Sequence, residues 1–236
     1  MSKKKAVRKE NTISFNNQVQ RAKRGPELIP KSLNQENYIV GLLDNRVDIV
    51  IAYGPAGCGK TYLAMQAAIK AFKSGACERI VLTRPAVGVD DESHGFLPGT
   101  LEEKMAPWTR PLFDVLREYY TAPEIAKMLE EQTIEVSPLA YMRGRTFKDA
   151  WIIGDEMQNA TPGQMKMLLT RIGENSKIVV TGDVEQADRK EKQNGLLDLC
   201  KRLQEQTEGI NVCKLTSNDI QRHRIIDTVL DMYKED

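Results

Sequence analysis

Asp48-Ile-Val-Ile-Ala-Tyr-Gly54-Pro-Ala-Gly-Cys-Gly-Lys60-Thr61 is the stretch on which the fold turns. Its β-branched run, Ile49 to Ala52, reads as a buried parallel strand. Gly54 to Thr61 then satisfies the pattern G-x-x-x-x-G-K-[ST] in full, and an alanine-rich segment, Tyr62 to Phe72, reads as a helix. Strand, glycine-rich loop and helix form the context in which that pattern binds phosphate. Backbone N–H groups of Gly54, Pro55, Ala56, Gly57, Cys58 and Gly59 (all but the proline) can wrap a triphosphate only if no bulky side chain intrudes. The helix start at Lys60, Thr61 and Tyr62 adds its partial positive charge. Lys60 is expected to reach the β- and γ-phosphates, and the Thr61 hydroxyl to bind Mg²⁺.

Outward from the loop, three more apolar runs read as strands of one parallel sheet: Arg79 to Thr83, Ala150 to Gly154 and Lys177 to Thr181. Shorter strands are expected at Thr133 to Val136 and Val212 to Leu215. The run at Ala150 ends in Asp155-Glu156. Behind a phosphate loop, such a pair reads as an Mg²⁺-holding Asp155 and a water-activating base, Glu156. The run at Lys177 leads to Gly182-Asp183-Val-Glu-Gln186, where the neutral Gln186 can sense the γ-phosphate without adding charge.

Several readings stay double. Gln35 and Tyr38, on a short helix capped by Ser32, suit an adenine edge, or are a surface glutamine and a packing tyrosine. Arg143 and Arg145 flank Gly144 and either grip phosphate or are solvated. His94 with Asp90, Asp91 and Glu92 lies in a loop after the second strand and reads as solvated rather than metal-binding. Residues 1 to 24 carry Lys3, Lys4, Lys5, Arg8, Lys9, Arg21, Lys23 and Arg24 against Glu10 alone. We take residues 1–25 as a basic tail, either a nucleic-acid arm or a solubilising extension, and residues 26–236 as one domain.

Helices are expected over Leu101 to Tyr120, kinked at Pro107 and Pro111, and over Pro123 to Glu131. Further helices follow from Thr161-Pro162 to Gly173, over Gly195 to Leu203, and from Ser217 onward. The chain has 236 residues and a net charge of +1, so it is not a polycation as a whole. The four cysteines have no metal-ligand spacing and are expected as free thiols in a reducing cytoplasm. No run is apolar and long enough for a membrane.

Thr83-Arg84-Pro85, Gly95-Phe-Leu-Pro-Gly99, Pro138-Leu-Ala-Tyr-Met-Arg-Gly-Arg-Thr146, Asp155-Glu-Met-Gln158 and Thr181-Gly-Asp183 with Gln186 follow the phosphate loop in this order. Together they closely resemble the PhoH-like ATPases, over about residues 32 to 234. That family resembles one motor domain of superfamily 1 helicases. The resemblance implies a RecA-like α/β fold with helices on both faces of a mostly parallel sheet. It also implies ATP and Mg²⁺ as cofactors and coupling to single-stranded RNA or DNA. It puts Arg84 and Pro85 against the nucleic acid and makes Arg222 a candidate arginine finger. Met157 stands where the family usually has Ala. The length leaves no room for the nuclease domain fused to some relatives, and is like that of phage-encoded members. The rival readings are an ATP-dependent switch or scaffold, and a small-molecule phosphotransferase. Because a lone motor domain leaves its nucleotide open on one side, a head-to-tail homo-oligomeric ring, a hexamer, is expected. In it Arg222 (or Arg143 or Arg145) would enter the neighbour's site.

Overall fold

A computed structural model of the chain describes residues 25–85, 110–186, 194–203, 207–221 and 232. Six strands form one wholly parallel sheet: β1 (Ile49–Tyr53), β2 (Arg79–Arg84), β3 (Ile134–Pro138), β4 (Ala150–Gly154), β5 (Lys177–Gly182) and β6 (Ile210–Lys214). Their spatial order is β3-β2-β4-β5-β1-β6. The expected α/β, RecA-like architecture is therefore present. The four central strands are buried along their lengths, as a parallel sheet covered on both faces requires.

The alternation of side chains divides the core in two. Val50, Ala52, Ile80, Leu82, Ile153 and Val179 face one layer. It holds α1 (Leu33–Leu43), α2 (Lys60–Lys73), α3 (residues 110–117) and α4 (Ala122–Glu130). Ile51, Val81, Ile152, Ile178 and Val180 face α5 (Pro162–Leu169) and α6 (Gly195–Arg202). Met157, in the position the family usually gives to Ala, is fully buried in this second layer.

Local signals account for most boundaries. Ser32 caps α1 by accepting from the Gln35 N–H, and Asn194 caps α6 by accepting from the Leu197 N–H. Thr161 and Gln164 form a reciprocal capping box at α5, with Pro162 in its first turn. The last turn differs from expectation. Helix α5 ends at Leu169 instead of reaching Gly173, because Phe147 bridges to Ile172 and its N–H bonds to the Arg171 carbonyl. Sheet-like pairing has taken the backbone that one more turn would need. Near the C-terminus Thr216, not Ser217, makes the cap, and the turn it starts, Ser217–Asp219, is 3₁₀. The expected helices before residue 110 and, apart from Met232, after residue 221, the acidic loop with His94, and residues 1–24 of the basic tail lie outside the described residues.

Strand β5 lies between β1 and β4. Registers Ala52↔Thr181 and Gly154↔Val180 put the ends of all three strands at one edge. Backbone bonds beyond the strands extend this edge: Gly54 N–H to Gly182 O and Asp155 N–H to Thr83 O. The loops that follow these strands are thereby gathered in one place.

Candidate active site

The loop after β1 is a backbone structure that only glycine can complete. Gly54 has φ +147, and a Cβ there would collide with the Leu215 carbonyl. Gly59, at φ +82, precedes α2 as its cap and offers no side-chain bond to the first turn. The first N–H groups of α2 thus remain available to an anion. Lys60, nearly buried, folds back across the loop and donates from Nζ to Gly54 O at 2.6 Å and Pro55 O at 2.8 Å. Cys58 is buried with its thiol on Pro55 O, and burial pushes that thiol up.

Gln35 and Tyr38 hold this loop from behind. Gln35 is buried, its amide nitrogen donates to Cys58 O at 3.1 Å, and its amide oxygen accepts from the Lys31 N–H. Tyr38 is wholly buried and donates to Lys60 O at 3.1 Å. The amide expected to read an adenine edge is thus committed to shaping the phosphate loop. A third brace comes from the turn at Ser217–Asp219. Asn34 Nδ2 donates to Asp219 Oδ2, and the Gln221 N–H donates to Gly57 O at 3.0 Å.

Opposite the loop stands Asp155. Its Oδ1 accepts two hydroxyl bonds, from Thr61 at 2.7 Å and from the fully buried Thr181 at 2.6 Å. The residues fit a small hard cation. Thr61 Oγ1 and Asp155 Oδ1 stand close to the ~3 Å edge of an octahedron with 2.0–2.1 Å bonds. Among the described residues no group of three or more His, Cys, Asp or Glu converges on a point. A metal here would complete its shell with water and phosphate oxygens, which is the habit of Mg²⁺ rather than Zn²⁺.

Glu156 follows in the left-handed conformation, φ 52 and ψ 39. That costs a non-glycine residue about 1–3 kcal/mol and recurs at working sites. The strained backbone turns its half-exposed carboxylate to the cleft. There Oε2 accepts from Gln158 Nε2 at 2.6 Å, and Oε1 lies 3.9 Å from an Arg84 guanidinium nitrogen.

Ala56, Gly57, Gly59, Lys60, Thr61, Asp155 and Glu156 line a cleft of about 360 Å³ that also includes Gly182, Asp183 and Gln186. Each of these the sequence marked; two further residues line the cleft, and Thr181 supports Asp155 from behind it. In the sequence Thr181 stands as a strand end and in the Thr181-Gly-Asp183 run, with no role of its own. Pro111, expected only to kink its helix, and Val115, given no role in the sequence, line the cleft from α3 beside Tyr62. Tyr62 is partly exposed, donates to Glu118 and accepts from Gln66. A larger hollow, about 1060 Å³, opens at the opposite end of the strands around Trp151 and Lys177. Its lining includes Asp48, Asp149, Glu174 and Glu208 but none of the phosphate-loop residues and neither Asp155 nor Glu156.

Two arginines separate. Arg143 is exposed on the turn after β3. Arg145 is not free to grip phosphate: both of its terminal nitrogens bond Glu135, the second at 2.7 Å, and its guanidinium stacks 4.5 Å over the Phe147 ring. Pro85 is buried at the end of β2. Arg222 lies outside the described residues, one position past Gln221.

The family model described as PhoH-like protein matches residues 27–234. The chain belongs to the PhoH-like family. A PhoH-like protein of Mycobacterium bovis is 47% identical over 212 residues, 90% of this chain and 59% of that one. One from Bacillus subtilis is 42% identical over 219 residues, 93% and 68% of the two chains. Protein PhoH of Escherichia coli K12 is 40% identical over 194 residues, 78% and 52%. The chain therefore spans about three-fifths of the length of the mycobacterial PhoH-like protein. Among solved structures, the Pyrococcus furiosus Hef helicase domain aligns with TM-score 0.43 and 12% identity, covering 78% of this chain and 38% of that one. The Pif1 helicase of Candida albicans aligns at 0.38 and 17%, covering 86% and 44%. Likeness of that degree carries no inference. What the PhoH-like family and the loop geometry establish together is a nucleotide site of the P-loop NTPase kind. Among the described residues no helix is long and apolar enough to cross a membrane.

Proposed function

We propose that the chain hydrolyses ATP with Mg²⁺ and couples that reaction to single-stranded RNA or DNA. The observation that carries the reading is the convergence of Lys60, Thr61, Asp155, Glu156 and Gln186 on one cleft from separate strand ends. In the reaction Glu156 accepts a proton from water, and the water oxygen bonds to the γ-phosphorus. The bond from that phosphorus to the bridging oxygen breaks, and ADP leaves with the electron pair. Lys60 leaves the carbonyls of Gly54 and Pro55 for the phosphates, exchanging neutral acceptors for charged ones. Thr61 and Asp155 would hold the Mg²⁺, whose charge would offset that of the phosphate oxygens. Gln186 senses the γ-phosphate. Tyr62, Pro111 and Val115 offer the base an apolar wall that Gln35 does not.

Nucleic acid is assigned to the edge beyond β2, where Arg84 ends β2 and the exposed Arg143 follows β3 by one turn, on the same side as the cleft, with the buried Pro85 following Arg84. The family membership supports this assignment, and the rival switch or scaffold reading requires no turnover. Phosphate release measured with and without single-stranded RNA and DNA separates them. Turnover stimulated by a strand supports the proposal, and absence of turnover overturns it.

A homo-oligomeric ring, a hexamer, completes the proposal, since an arginine finger is worth about 10³–10⁵ in rate. Gln221, the last described residue before Arg222, is tied to the chain's own loop through Gly57 O. Mixing Arg222→Ala with Glu156→Gln subunits tests the direction. Recovered activity in the mixture means that Arg222 serves a neighbour, and none means that it serves its own site.

A further inference from the structure

We infer that Arg84 is a brake on Glu156, released when its guanidinium is taken by a nucleic-acid phosphate. The inference rests on the proposed hydrolytic role of Glu156. The carboxylate is bracketed. Gln158, almost wholly buried, donates to Oε2 at 2.6 Å, and Arg84 faces Oε1 at 3.9 Å. An oxygen turned toward a guanidinium is not the one presented to a water over the γ-phosphate.

The two brackets differ in kind. Gln158 is fixed: its amide oxygen accepts from the Asp183 N–H at 3.1 Å, and a Cβ at Gly182 would meet that oxygen at 2.6 Å. It ties Glu156 to the turn that carries Asp183 and Gln186. The left-handed backbone of Glu156 fixes the other end of the same link. Arg84 is loose. The pair is long for an ion pair, and its side chains are 30% and 39% exposed, so a better partner can displace it at little cost. A phosphate diester is such a partner, because it accepts two parallel guanidinium bonds. The backbone beneath Arg84 does not have to move for this. Asp155 N–H holds Thr83 O, and β2 is paired to β3 as far as Arg84 and to β4 as far as Thr83. Only the side chain swings. Gln158 is thus the positioning residue, and Arg84 the restraint that the partner removes.

The test is ATP turnover of the full chain, with and without a single-stranded oligouridine or oligothymidine. Arg84→Ala is expected to raise kcat without nucleic acid about two- to fivefold, the range for losing an exposed pair. KM for ATP should hold, and stimulation by the strand should disappear. Arg84→Lys should restore part of the restraint. In a Glu156→Gln background the same alanine substitution should change nothing, since it acts through that carboxylate. A folded Arg84→Ala variant with an unchanged or lower basal rate overturns the brake while leaving the hydrolytic reading intact. Wild-type protein without turnover, or Lys60→Ala with full turnover, removes both.

Discussion

Replacing Thr181 by valine tests how the cleft is built. The Thr181 hydroxyl is fully buried on β5 and donates to Asp155 Oδ1 at 2.6 Å, while Thr61 donates to the same oxygen at 2.7 Å. Valine keeps the shape and deletes one of the two bonds. A lost hydrogen bond to a charged acceptor costs about 1.5–3 kcal/mol. Part of that is recovered because valine buries no hydroxyl and Thr61 still satisfies the oxygen. We expect a net loss of about 1–2 kcal/mol, which in a domain of this size lowers Tm by about 2–8 °C. The larger effect should fall on the metal. Partners that orient a ligating carboxylate typically matter 10–100-fold in metal affinity or activity. Phosphate release followed across a Mg²⁺ titration at saturating ATP should shift to about 10–100-fold higher metal, with turnover regained at the top of the range. A folded Thr181→Val protein with wild-type magnesium dependence would refute the assignment of Asp155 as the metal-holding carboxylate oriented by β5.

Other outcomes follow from the same geometry. Gln35→Leu removes the bond to Cys58 O from a buried amide, so it should weaken ATP binding with little preference for adenine over guanine. A large loss confined to ATP over GTP would return Gln35 to the base. Salt should weaken binding to a single strand steeply, and deleting residues 1–24 should reduce the slope, as read by binding isotherms at several salt concentrations; a salt-independent affinity contradicts phosphate contacts altogether. Alkaline pH should unfold the protein. Burial pushes the thiols of Cys77, Cys200 and Cys213 up to about 11 and the Tyr120 hydroxyl up to about 12. Groups raised above their unfolded values contribute fully below about pH 9 and lose that contribution as pH rises through the folded value. Lys177, pushed by burial down to about 8, acts in the opposite sense between about pH 8 and 10.5, but it is one group against four. Thermal unfolding should therefore show Tm falling from about pH 9 to 11, and a Tm still rising at pH 11 contradicts the balance.

The strands and the phosphate loop were legible because their cause is local. A β-branched run bounded by glycine or charge needs no distant partner to be recognised, and Gly54 and Gly59 occupy backbone conformations that glycine adopts freely. What escaped depends on pairs made across the fold. Arg145 beside Gly144 looks like a free cation until Glu135, ten residues earlier on β3, is found paired to it. Gln35 reads as a donor–acceptor for a base until the loop carbonyl of Cys58 lies against it. Thr181 is an ordinary strand threonine in sequence, and only register with Ala52, and the placing of β5 beside β4, brings it to Asp155. Helix α5 stops early because a backbone bridge with Phe147 competes for its last turn. Propensity carries no record of a competitor 25 residues away.

The central claim is that this cleft cleaves a nucleoside triphosphate with Glu156 as base. The direct measurement is a paired assay on Glu156→Gln: nucleotide binding by titration and single-turnover phosphate release on the same protein. Glutamine fills the site and cannot take the proton. The account predicts ATP affinity within a few-fold of wild type and phosphate release slowed by about 10²–10⁴. Phosphate release at the wild-type rate by a folded Glu156→Gln protein would contradict it.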